Sequence, residues 1–215
     1  MNKKVIVIVI VIAVLIIGGV GCFLFLNKGG SVGIDDNMQN ENNKQGSGNI
    51  DLGDKKVLVV YFSETGNTQK LAKLISDEIG GDFRRIETVK SYPTGEALFD
   101  YTKNERDNDE RPELKDLDIN IDDYDVIFVG YPIWWYTLPM PIYTFFETFD
   151  FSGKIIVPFN THEGSGDGGT YSTIKGWEKD ANVLDGLAIR GWDMEKNQTT
   201  RVQNWLKGLG FNEDN

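Results

Sequence analysis

Val57-Leu58-Val59-Val60-Tyr61-Phe62 is an unbroken apolar run, with no polar side chain at alternate positions. A strand of that kind has both faces covered, which is the habit of parallel sheets flanked by helices on each side. From position 55 onward the chain keeps alternating strand and helix patterns, and this narrows the fold to an α/β doubly wound sheet. Leu71, Leu74, Ile75 and Ile79 repeat at helical spacing after the first strand, and Gly80-Gly81 stops that helix. Further strands are predicted over 83–89, 125–131, 154–160 and 183–190, the first of these close to a sheet edge because it carries Arg84 and Arg85. Helices are predicted over 139–149 and 170–179, with a last one built on Val202, Trp205, Leu206 and Leu209. Residues 90–120 read as a loop with one irregular helix, and the charged run from Lys103 to Arg111 as a solvated helix face.

The first 54 residues do not belong to that core. Residues 5–26 are 22 positions without a charge, about 33 Å as a helix at ~1.5 Å per residue and enough to cross a ~30 Å hydrocarbon layer. Lys3 and Lys4 precede the run, and only Lys28 follows before Asp35 and Asp36, so the positive-inside bias places everything after residue 27 on the extracytoplasmic side of the cell membrane. The same segment also reads as a signal peptide, either of a secreted form or of a lipoprotein. Gly19-Val20-Gly21 before the lone Cys22 resembles a lipobox, although Gly19 and the apolar Phe23 to Leu26 depart from that pattern. Residues 1–27 are thus a transmembrane anchor or signal, and 28–54, rich in Asn, Gly, Ser and Asp, a flexible linker. Residues 55–215 are the folded domain. Four lysines and five acidic residues before position 55 leave about −10 of the total −11 on that domain, which argues against a nucleic-acid partner. One cysteine and one histidine leave little for a metal site.

In open parallel sheets ligands bind beyond the carboxyl ends of the strands, and three unusual loops are expected there. Ser63-Glu64-Thr65-Gly66-Asn67-Thr68 joins the first strand to its helix with three hydroxyls, an amide and a glycine but no lysine or arginine. A helix start of that kind suits a phosphate, because its unpaired amides and dipole face the anion, or else the same side chains cap the helix. Residues 130–139 place Tyr131, Trp134, Trp135 and Tyr136 together with Pro132 and Pro139 where the chain leaves the sheet, aromatics that either pack inward or cover a flat partner. Residues 160–169 combine glycine-supplied backbone amides with His162, which is either a polar contact for a ring or a loop-stabilising partner.

The joint pattern resembles the flavodoxin family. The resemblance rests on Ser63-Glu64-Thr65-Gly66-Asn67-Thr68, on Gly130-Tyr131-Pro132-Ile133-Trp134-Trp135 and on Pro158-Phe159-Asn160-Thr161-His162-Glu163-Gly164, within residues 55 to about 210. It implies a five-stranded parallel sheet in order 2-1-3-4-5 that binds one FMN noncovalently. By the same resemblance Ser63, Thr65, Gly66, Asn67 and Thr68 hold the FMN phosphate, while Pro132, Ile133, Trp134, Trp135, Thr161, His162, Gly164 and Gly166 flank the isoalloxazine. The loop after the fourth strand lacks the tyrosine that small electron carriers of the family usually place over the flavin, so ring stacking falls to Trp134 or Trp135. Three functions follow. The first is an extracytoplasmic electron-transfer protein serving a redox partner protein or a small quinone-like acceptor; the second is an FMN-dependent NAD(P)H:quinone or nitro-compound reductase. The third is a cofactor-free interaction or sensory module.

Overall fold

The computed structural model describes residue 52 and residues 54–211. The predicted anchor or signal, most of the linker and the last four residues lie outside them. Among the described residues no helix is long and apolar enough to cross a membrane.

The elements run β1 (Val57–Tyr61), α1 (Asn67–Ile79), β2 (Asp82–Arg85), α2 (Ala97–Asp107), β3 (Val126–Pro132), α3 (Met140–Thr148), β4 (Ile155–His162), α4 (Thr170–Trp177), β5 (Asn182–Val183), β6 (Leu187–Arg190) and α5 (Thr199–Gly208). Short 3-10 turns cover Ile121–Asp123 and Gly191–Glu195. All strand pairs are parallel, in the order β2-β1-β3-β4-β5, with β6 also paired to β4. The apolar run of β1 divides by pleat. Leu58, Val60 and Phe62 join Phe145 and Ile142 of α3 on one face, and Val57, Val59 and Tyr61 join Leu71, Ala72 and Ile75 of α1 with Val202 and Leu206 of α5 on the other. The resulting two-faced burial is what an uninterrupted apolar strand requires.

The predicted single strand over 183–190 is two short ones, and Pro158 gives the reason. The Ile156 carbonyl accepts from Leu184 N at 2.9 Å, so the next group that β4 would present to this neighbour is the N–H that Pro158 lacks. The ladder resumes at Phe159–Leu187. In the gap, a Cβ on Gly186 would lie 2.4 Å from the Tyr171 ring and 2.8 Å from the Pro158 carbonyl oxygen, leaving room only for glycine. β4 itself extends two residues further than its composition suggests, because Thr161 pairs with Pro132 on one side and Ile189 on the other. Thr161 and His162 are therefore strand residues, not loop residues.

Residues 90–120 contain the regular helix α2, and most of its charge is solvated, as in the exposed Lys103–Asp107 pair at 2.6 Å. Glu105 is the exception. Leu98, Tyr101, Thr102 and Glu105 recur at helical spacing and pack inward, and Glu105 is 3 % exposed, accepting a 2.7 Å bond from the Tyr92 hydroxyl. Burial raises its pKa above the ordinary carboxylate value.

Candidate functional site

The hydroxyl turn leaves β1 and enters α1 at Gly66, whose φ of 91° lies in the left-handed region. Ser63 and Thr68 are buried, Gly66 and Asn67 half-buried, and Thr65 exposed. Ser63 Oγ accepts from Gly66 N at 3.2 Å and shapes the turn. No side chain caps α1. The capping role that the sequence left open is thus not taken, and the first-turn amides keep their donors for another acceptor. One cation does reach the turn, from outside the motif: Arg85 Nη2 donates to the Ser63 carbonyl at 2.7 Å. The sequence used it only as the mark of an edge strand; that β2 ends at Arg85, beside Tyr61, emerges only in the fold.

The second loop is a tight hairpin closed by two bonds between Trp134 and Thr137, 3.1 and 2.9 Å long. Its central residues Trp135 and Tyr136 have φ of 53° and 62°, a geometry normally met by Asn-Gly. Holding two bulky residues there costs on the order of 1–3 kcal/mol each. The surroundings offset it. Trp134 stands edge-on to Phe62 and Tyr92 at centroid distances of 5.2 and 5.4 Å. Trp135 Nε1 donates to Thr102 Oγ1 at 3.0 Å, and the Arg106 guanidinium lies 5.4 Å over its ring. Both tryptophans are engaged by the protein, while Tyr136, which sequence reasoning had not singled out, is 79 % exposed. An exposed tyrosine directly after two tryptophans carries no signal until the turn geometry decides which ring points outward.

The third loop is organised by His162 and Asn160. His162 Nδ1 accepts from Gly164 N at 2.9 Å and Gly166 N at 3.2 Å, so the proton of the neutral ring sits on Nε2. Fully buried Asn160 donates to the Gly166 carbonyl at 3.1 Å and accepts from the Tyr171 hydroxyl. Thr161 ties the three loops together. Its hydroxyl shares a buried 2.8 Å bond with Thr68, and its carbonyl accepts from Ile133 N at 2.8 Å. A Cβ on Gly168 would lie 3.1 Å from the Tyr136 carbonyl oxygen and 3.4 Å from Ile133 Cγ2, so the second and third loops also touch. Pro132 and Ile133 are thus joined to Thr161, which is bonded to the hydroxyl turn, and the His162 ring beside it holds Gly164 and Gly166. A separate cleft of about 920 Å³ runs along the outer side of α1 and shares Gly66 with that turn, but none of the aromatic or glycine-loop residues. Among the described residues no cluster of His, Cys, Asp and Glu suits a metal ion.

Burial first, and the Arg190 charge second, lower the His162 pKa below its usual value, against opposing effects of Glu163 and Asp167. A depressed histidine contributes stability that is complete above its unfolded pKa of ~6.5 and is lost as pH falls through the folded value. Unfolding midpoints in urea at pH 5.5 and 7.5 are expected to separate less in His162→Asn than in the wild type, because the amide oxygen accepts the same bonds without titrating. Equal pH sensitivity of the two proteins would refute the assignment.

The sequence profile of the family described as Flavodoxin matches residues 56–209. The chain belongs to the flavodoxin family. Among solved structures, this flavodoxin is similar to a protein of Bacteroides eggerthii assigned as a flavoprotein, at 32% identity and a TM-score of 0.63, covering 74% of this chain and 99% of that one. A Lactobacillus acidophilus flavoprotein in complex with FMN is similar at 25% identity and a TM-score of 0.56, covering 66% and 95% of the two chains. A flavodoxin of Nostoc is 24% identical over 174 residues, covering 75% of this chain and 86% of that protein.

Proposed function

We propose that this flavodoxin binds FMN at the junction of its three loops and passes electrons between a donor and a redox partner protein or small quinone-like acceptor. The observation that carries the reading is the uncapped start of α1, with its left-handed Gly66, fixed to the ring-side loops through the Thr68–Thr161 bond. The donor set suits a phosphomonoester. Ser63, Thr65, Asn67 and Thr68 supply hydroxyls and an amide, and Gly66 lets the backbone approach closely. The similar Lactobacillus protein carries FMN, and the residues here have the chemistry to hold the same group. Tyr136, Ile133 and the Gly164–Gly169 amides would bound its ring. When bound, FMN supplies the one- and two-electron chemistry, and the protein sets access and potential. A charge of about −10 on the domain disfavours added negative charge on the ring, while the glycine-loop amides favour it.

An anaerobic redox titration of the full chain, read by flavin absorbance, tests the reading. Bound FMN taken down in two resolved one-electron steps is the expected result. A single two-electron step with rapid bleaching by NADH or NADPH would replace the carrier with a reductase, and absence of flavin after incubation with excess FMN would overturn both. We further propose that the domain faces the outside of the membrane, supported by the uncharged run at 5–26 behind Lys3 and Lys4. Protease added to intact cells should then remove the domain, and full protection would refute this location.

A further inference from the structure

The phosphate turn contains a residue that an anion should disfavour. Glu64 sits between Ser63 and Thr65, and its carboxylate adds a negative charge where a phosphomonoester dianion would approach. The fold places one cation against this liability. Arg85 pairs in register with Tyr61 at the carboxyl end of β1, and strand alternation puts it on the same face as Phe83, whose ring packs 4.9 Å from Tyr61 on the side covered by α1. Its Nη2 donates to the Ser63 carbonyl at 2.7 Å, the last acceptor before the turn begins. The nearby lysines of α1 are engaged elsewhere, Lys70 with Glu195 at 2.7 Å and Lys73 with Asp77. Among the described residues Arg85 makes no such ion pair, and its charge acts on the turn. In agreement, the Glu64 pKa is raised by burial and by Glu87 but held down by Arg85.

We propose that Arg85 is a positioning residue of the phosphate subsite, which fixes the Ser63 peptide and offsets Glu64, so that the site prefers a dianionic flavin phosphate to the uncharged flavin alcohol. The proposal rests on the FMN reading above. Among the described residues Arg85 has no hydrogen bond or ion pair with the ring loops, so its removal is expected to act on the phosphate end. A unit charge close to a dianion at an effective dielectric near 20 is worth roughly tenfold in affinity, and salt screens part of it.

The test measures FMN and riboflavin affinities, by quenching of flavin fluorescence, for the flavin-stripped full chain and for Arg85→Gln, Arg85→Lys, Glu64→Gln and the Arg85→Gln/Glu64→Gln double variant. Arg85→Gln should weaken FMN about tenfold and leave riboflavin within about twofold, with the difference shrinking in 0.5 M salt. Arg85→Lys should retain most of the FMN preference. The double variant should return to within about threefold of the wild type, because the carboxylate that needed compensation is gone. Equal weakening of FMN and riboflavin in Arg85→Gln, or no change in either while the wild type binds FMN, overturns the proposal and leaves the FMN reading standing. A wild-type chain that binds neither flavin overturns both.

Discussion

Gly130→Ala is expected to destabilise the domain by about 3 kcal/mol or more, a steep loss for a single added methyl group. A Cβ at Gly130 would lie 2.2 Å from two carbons of the Phe159 ring. Both residues sit mid-sheet, paired across β3 and β4, and Phe159 is fully buried. Neither strand can retreat, because β3 is bonded to β1 on its other side and β4 to β6. The ring is therefore asked to leave a rotamer that the packed face beneath α1 and α5 holds in place. Phe159→Leu removes the offending ring edge at a cost of ~1 kcal/mol. The double variant Gly130→Ala/Phe159→Leu should then be more stable than Gly130→Ala alone, which no additive account allows. Urea denaturation midpoints of the four proteins decide it, and strictly additive losses would show that the strain is absorbed elsewhere.

Residues 57–62 and 67–79 were legible because their burial matches a single period, every residue in the strand and every third or fourth in the helix. The edge position of β2 was legible in Arg84 and Arg85, and the sheet order followed from the motif resemblance and not from periodicity. What stayed hidden depends on partners distant in sequence. Thr161 and His162 look like loop residues, yet pairing makes them strand, Thr161 on both sides and His162 to β6 alone, and the Thr161 hydroxyl becomes the tie to the phosphate turn. Pro158 was visible as a letter, but its missing N–H matters only once it faces β5 and β6. Glu105 was hidden inside a charge run, because nothing local distinguishes a carboxylate that will meet the Tyr92 hydroxyl from its solvated neighbours. The division of labour among Trp134, Trp135 and Tyr136 follows from two left-handed residues in succession, a conformation that aromatic side chains do not advertise.

Substitutions at Gly66 should have the largest effect on cofactor affinity, and their order separates conformation from size. No heavy atom lies within 4 Å of where a Cβ on Gly66 would stand, so space is not the constraint. The constraint is φ of 91°, which L residues adopt at a cost of about 1–2 kcal/mol and β-branched ones at more. In Gly66→Val the turn relaxes in the free protein towards a conformation that valine tolerates, and the α1 amides turn away from the phosphate position. Binding FMN must reimpose the left-handed turn, and that energy is subtracted from affinity. A cost of about 2–3 kcal/mol weakens FMN roughly 30- to 150-fold, with riboflavin much less affected because it carries no phosphate. Gly66→Ala should fall in between, and Gly66→Asn nearest the wild type, since asparagine enters the left-handed region readily. Steric exclusion would instead rank asparagine, the larger side chain, below alanine. Flavin fluorescence titrations of the three variants distinguish the two orders, and an affinity for FMN that is unchanged in Gly66→Val would remove this turn from the phosphate site altogether.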